Sequence, residues 1–132
     1  VPAVQADFRQ WATIRRARLR LGESRLYQAA QNMYFFSMIC QEGYGPSSAP
    51  RLRYAPLQKC LIELGDTARR LVASVHMPRI GAGQAGGSWD IIEELIRQEV
   101  CGRGVPVTVY DLPGPTRPPT RMPQTANVGG AQ

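Results

Sequence analysis

Between Ala73 and Leu112 the sequence runs apolar, glycine-rich, amphipathic and apolar again, an order that few folds accommodate. The two apolar stretches, Ala73–Ile80 and Val105–Leu112, are strand-sized, and the second is rich in β-branched residues. Between them, Asp90–Val100 sets Ile91, Ile92, Leu95, Ile96 and Val100 on one side of a helix. A strand, a helix and a strand in that order form a crossover, which pairs its strands in parallel. A parallel sheet needs helices over both faces to bury it. The expected class is therefore α/β, with a mixed, mainly parallel sheet between two helical layers.

The rest of the chain supplies elements for such a sheet. Pro2 to about Arg18 reads as a helix, with Pro2 suited to a first turn. Leu21–Ala30 and Met33–Cys40 read as strands joined by Gln31-Asn32, and the second is apolar on both faces, as a central strand is. Gln41–Arg53 carries turn residues and reads as a loop. Tyr54–Val72 is a helix whose Leu57, Leu61, Leu64, Ala68 and Leu71 form one stripe. Asp90 and Glu93 have capping-box spacing, and Ser88 is an alternative cap. The predicted order is α-β-β-α-β-α-β over residues 1–112. Pro113–Gln132, dominated by Pro, Gly and polar residues, has little to bury and reads as a disordered tail.

Composition removes several function classes. The formal net charge is +6, yet arginine supplies all the basic residues except Lys59, a bias that fits base composition of the genome better than a function. Arg15, Arg16, Arg18 and Arg20 are dense enough to raise nucleic acid as a partner, but without interleaved aromatics a solvated helix end is the simpler reading. Cys40, Cys60 and Cys101 lack metal-ligand spacing, and with one histidine no metal site is expected. Buried, reduced thiols in a cytoplasmic protein follow, with no membrane span. The chain starts at Val1 rather than methionine, so an upstream segment is expected.

The chemistry concentrates in Gly81–Ser88, which carries Gly81, Gly83, Gly86 and Gly87. Gly81-Ala-Gly83-Gln-Ala-Gly86 is a literal GxGxxG after a strand and before a helix, with Asp111 at the end of the next strand. Only the proline-rich segment follows, however, so a dinucleotide crevice would lack its second half. Gly81-x4-Gly86-Gly87-Ser88 matches a P-loop except that Gly87 replaces the phosphate-binding lysine, which excludes that reading.

A third reading rests on resemblance. Ser74-Val-His-Met-Pro-Arg-Ile-Gly-x-Gly-x-x-Gly-Gly-x-Trp89, followed by a helix and Val105-Pro-Val-Thr-Val-Tyr-Asp-Leu-Pro113, is similar to the C-terminal half of a macro domain. The likeness is to the branch containing the terminal ADP-ribose protein glycohydrolase and the macro domain of a chromatin remodeller. Arg53-Tyr-Ala-Pro-Leu-Gln-Lys-Cys-Leu61 and Met38-Ile-Cys-Gln-Glu-Gly-Tyr-Gly-Pro-Ser47 resemble that branch too. The resemblance implies a loop, Gly81, Ala82, Gly83, Gln84, Ala85, Gly86 and Gly87, that wraps the diphosphate and distal ribose of ADP-ribose. Open backbone before a helix N-terminus suits that anion without a lysine. Tyr110 and Leu112 would lie against adenine, and Gln41 or Glu42 near the distal ribose. Ordinary roles compete: core packing for Tyr110, Leu112 and His76, strand capping for Gln41, and helix packing for Trp11 and Trp89. Arg79 is placed to order the loop rather than to touch ligand.

The same resemblance sets limits. The glycohydrolase uses a lysine near the strand end that here reads Ile39-Cys40-Gln41, and a loop aspartate that aligns with Ala85. Lysyl covalent chemistry is not expected, and Cys40 has no neighbour in sequence that would activate its thiol. Family members also begin with strands and an Asn/Gly-rich loop that this chain lacks before Val1. Asp7, the nearest acid, falls in the first helix as a solvated residue. Two functions follow as expectations. One is binding of ADP-ribose or an ADP-ribosylated substrate, without cofactor and with hydrolysis by water as its extension. The other is a degenerate macro fold acting as a protein- or RNA-interaction subunit through the arginine-rich end of the first helix and the tail. A partner chain in place of the N-terminal strands is expected only if those strands are truly absent.

Overall fold

The computed structural model describes residues 2–14, 20–41, 52–83, 85–111 and 120–122. Helix α1 spans Pro2–Ile14, strands β1 and β2 span Ser24–Ala30 and Met33–Met38, and helix α2 spans Tyr54–Leu71. Strand β3 is Val75–Pro78, helix α3 is Trp89–Glu99, β4 is Val107–Tyr110 and β5 is Thr120–Arg121. The predicted crossover is present: β3 and β4 pair in parallel, Val75 opposite Val107 and Pro78 opposite Tyr110, with α3 between them. The chain has a mixed α/β fold.

The sheet differs in detail from the expectation. The described strands form two ladders, an antiparallel β1–β2 hairpin and a β3–β4–β5 sheet, so parallel pairing is confined to β3 and β4. The apolar β2 pairs with β1 and is half-buried over most of its length, rather than lying inside the larger sheet. Beyond β2 the chain bonds elsewhere. Arg53 N–H donates to Cys40 O at 2.8 Å, and Gln41 bridges Leu52.

One apolar core joins α2, α3 and the β3–β4 face. Leu57, Leu61, Ile92, Ile96, Val100 and Val107 are almost wholly buried, and Val75, Met77 and Val109 complete the strand side. Alternation along β3 and β4 selects these residues, because successive side chains point to opposite faces. The stripe on α2 is as predicted at Leu57, Leu61, Leu64 and Ala68. On α3 the buried pair is Ile92 and Ile96, whereas Ile91 is 47% exposed. Ile92 takes the core position and leaves Ile91 toward solvent.

The tail also departs from the reading of Pro113–Gln132 as wholly without structure. Thr120–Arg121 adds an antiparallel strand to β4, and Met122 is only 4% exposed within the core. Its N–H donates to Val107 O at 3.0 Å. A proline-rich composition concealed one apolar anchor. Asp7 is likewise not a solvated acid: Arg25 donates to both its oxygens, at 2.8 and 2.7 Å, tying α1 to β1.

Candidate functional site at the glycine loop

The glycine loop leaves β3 where the parallel pair ends, the side of a sheet on which α/β folds build ligand sites. Its floor is apolar. Leu52 and Ile92 lie beneath Gly81 and Gly87, and Leu52 N–H donates to Ala85 O at 3.0 Å. Through its bridge to Leu52, Gln41 is brought to the same end of the molecule as Ala85. Tyr110 lies opposite Pro78, at the head of the loop.

The glycines have separate reasons. Gly81 has φ 73° and Gly86 φ 75°, left-handed backbone that suits glycine. A Cβ on Gly87 would come within 2.4 Å of Leu52 Cδ2 and 2.6 Å of Gly81 O, so packing forbids a side chain there. A Cβ on Gly83 would meet no atom within 4 Å. The fold therefore accounts for Gly81, Gly86 and Gly87 by itself. Gly83 is the one without an internal cause.

Backbone bonds consume part of the loop's donor capacity. Ile80, Gly86 and Gly87 N–H donate to Pro78, Gly83 and Gly81 carbonyls, at 2.8, 3.0 and 2.8 Å. Ser88 N–H donates to Tyr54 Oη at 2.9 Å. Among the described residues, the N–H groups of Gly81, Ala82 and Gly83 have no such partner. They precede α3, whose N-cap Ser88 makes no side-chain capping bond. The capping box expected of Asp90 and Glu93 is not formed, since α3 starts at Trp89 and Glu93 accepts from Trp89 Nε1 at 3.0 Å. The loop thus enters α3 with three backbone N–H groups that have no bond among the described residues.

Arg79 stands at the start of this loop. Its Nε donates to Asp111 Oδ1 at 2.5 Å, and its guanidinium carbon sits 5.0 Å from the centroid of Trp89. His76 is exposed rather than in the core, because Val75 and Met77 take the inward positions of β3. Its Nε2 pairs with Ser74 Oγ at 3.0 Å and its Nδ1 with Tyr110 Oη at 2.8 Å. Tyr110 is 39% exposed, so the ring is outside the core while its hydroxyl is engaged.

Cys40 is buried in the core. A hydrogen bond with Cys60, then burial, push its thiol well above the ordinary range, and the same hydrogen bond lowers Cys60. Both sulfurs are in the core. Burial also raises Cys101. Among the described residues no group of His, Cys, Asp and Glu is arranged to hold a metal ion, and no helix is long and apolar enough to cross a membrane. Gln84, Leu112 and Glu42 lie outside the described residues, as do Arg15, Arg16 and Arg18 and the side chain of Trp11. Sequence reasoning missed Leu52 as the loop's floor, its only signal being one apolar residue between arginines.

No protein-family model matches the chain. A stretch of 62 residues is 37% identical to Chromodomain-helicase-DNA-binding protein 1-like of Mus musculus, covering 47% of this chain and 7% of that protein. An uncharacterised 17.5 kDa protein of Enterobacteria phage T4 is 32% identical over 82 residues, 58% of this chain and 50% of its own length. The chain thus spans half or less of these curated relatives. Among solved structures, a macrodomain protein from Streptomyces coelicolor superposes with a TM-score of 0.70 at 37% identity, covering 85% of this chain and 72% of that one. A protein of unknown function from Bacteroides thetaiotaomicron gives a TM-score of 0.75 at 37% identity, with 81% and 69% covered.

Proposed function

The chain belongs to the macrodomain family, and from that premise we propose that it binds ADP-ribose, free or attached to a substrate, on the outer side of the glycine loop. The observation that carries this reading is Gly83. Neither backbone angle nor packing demands a glycine there, and among the described residues the N–H groups of Gly81, Ala82 and Gly83 have no bonding partner. A diphosphate approaching that edge meets backbone donors in a loop that leads into the positive end of α3. Ala85, Gly86 and Gly87 complete the described loop, and the family resemblance assigns Gln41 to the distal-ribose side and Tyr110 to the adenine side.

Binding is favoured over cleavage by the residues present. Ala85 occupies the position where the glycohydrolase branch has its aspartate, and Ala85 is buried with its carbonyl bonded to Leu52. Cys40 is buried in the core rather than presented to a ligand. Any hydrolysis would use water, oriented by loop dipoles. The test is isothermal calorimetry of the chain with ADP-ribose, supported by thermal unfolding. At a hundredfold excess over Kd, binding to the folded state adds about 2.7 kcal/mol. Heat and an upward shift of Tm are expected with ADP-ribose; absence of both overturns the reading.

A further inference from the structure

Arg79 touches both ends of the glycine loop's frame. It directly precedes Ile80 and Gly81, it bonds Asp111 beyond the end of β4, and its guanidinium lies on Trp89, the first residue of α3. Trp89 is itself fixed, its Nε1 donating to Glu93, which accepts from Arg97 at 3.2 Å. The planar, permanently charged guanidinium presents a donor edge to a carboxylate while its face rests on an aromatic ring, which an ammonium group cannot do. Asp111 follows Tyr110 directly, so the contact also joins the loop to the strand end assigned to adenine.

We infer that Arg79 is a positioning residue that staples the base of the described loop residues, 80–83 and 85–88, and couples the diphosphate side of the site to the Tyr110 side. The coupling to ligand rests on the ADP-ribose reading above; the stapling does not. Arg79 contributes to affinity without contacting ligand, by keeping the loop in its binding conformation. If its loss leaves that conformation populated a tenth of the time, apparent affinity falls about tenfold.

The experiment is hydrogen exchange of the full chain, wild type against Arg79→Met and Arg79→Lys, paired with ADP-ribose titration of each. Local opening is read by exchange independently of global unfolding. Arg79→Met is expected to speed exchange of the bonded loop amides, Ile80, Gly86, Gly87 and Ser88, about tenfold or more while α2 amides keep wild-type rates. ADP-ribose affinity falls about tenfold in parallel, and Arg79→Lys, which retains the charge without the stacking plane, lies between. Unchanged loop exchange in Arg79→Met overturns the staple. Exchange accelerated equally in α2 also overturns it, since Arg79 then serves global stability. A faster loop with unchanged affinity overturns the coupling. A wild-type chain that ignores ADP-ribose rejects the binding reading alone, and the exchange result still decides the staple.

Discussion

Gly83 and Gly87 stand in one loop and look in opposite directions. Beneath Gly87 lie Leu52, Ile92 and the carbonyl of Gly81, close enough to exclude a single methyl group. Around Gly83 there is open space. The inner side of the loop is a packing surface and the outer side is a backbone surface. A run of glycines read as one feature thus divides into residues that hold the loop on its floor and a residue that leaves its edge bare. Only the second kind is evidence about a ligand.

The largest effect should come from removing the floor. Ile92 is wholly buried against both Gly81 and Gly87. Truncation, Ile92→Ala, is expected to cost about 2–5 kcal/mol in chemical denaturation, the range for a buried aliphatic residue. A cost near zero would mean the loop is not seated there. Overfilling is next: Gly87→Ala is expected to destabilise by about 1–3 kcal/mol, because the added methyl meets backbone as well as a flexible leucine. If Gly87→Ala is neutral, the two sides of the loop do not differ as argued.

The smallest effect lies far from the loop and serves as a control. Hydrogen bonds from Arg25 hold the Asp7 carboxyl below its ordinary value. The pair's stabilisation is present above the unfolded carboxylate pKa of about 3.9 and is lost as pH falls through the lower folded value. Asp7→Asn should therefore reduce stability slightly at neutral pH and converge with wild type in acid, with ADP-ribose binding unaltered. Altered binding would extend the site to α1.

Much of the fold was legible because periodicity reports burial. The stripe Leu57, Leu61, Leu64 and Ala68 follows from geometry that a sequence displays directly. Met122 and Asp7 were not legible, since one joins the core and the other finds Arg25 through contacts distant in sequence. The loop was visible as composition, but its division into inner and outer glycines required Leu52, brought beneath it from another segment. His76 followed the same logic: the strand was evident, and which face Val75 would bury was not.

The central claim is that the bare edge at Gly83 is where ligand approaches, and Gly83→Val tests it most directly. With open space around the new side chain and no left-handed backbone, stability should change by less than about 0.5 kcal/mol. The branched side chain would cover the N–H edge, so calorimetry with ADP-ribose should register no binding to Gly83→Val while the wild-type chain binds. A Gly83→Val protein that folds as the wild type does and binds ADP-ribose with undiminished affinity would contradict the account.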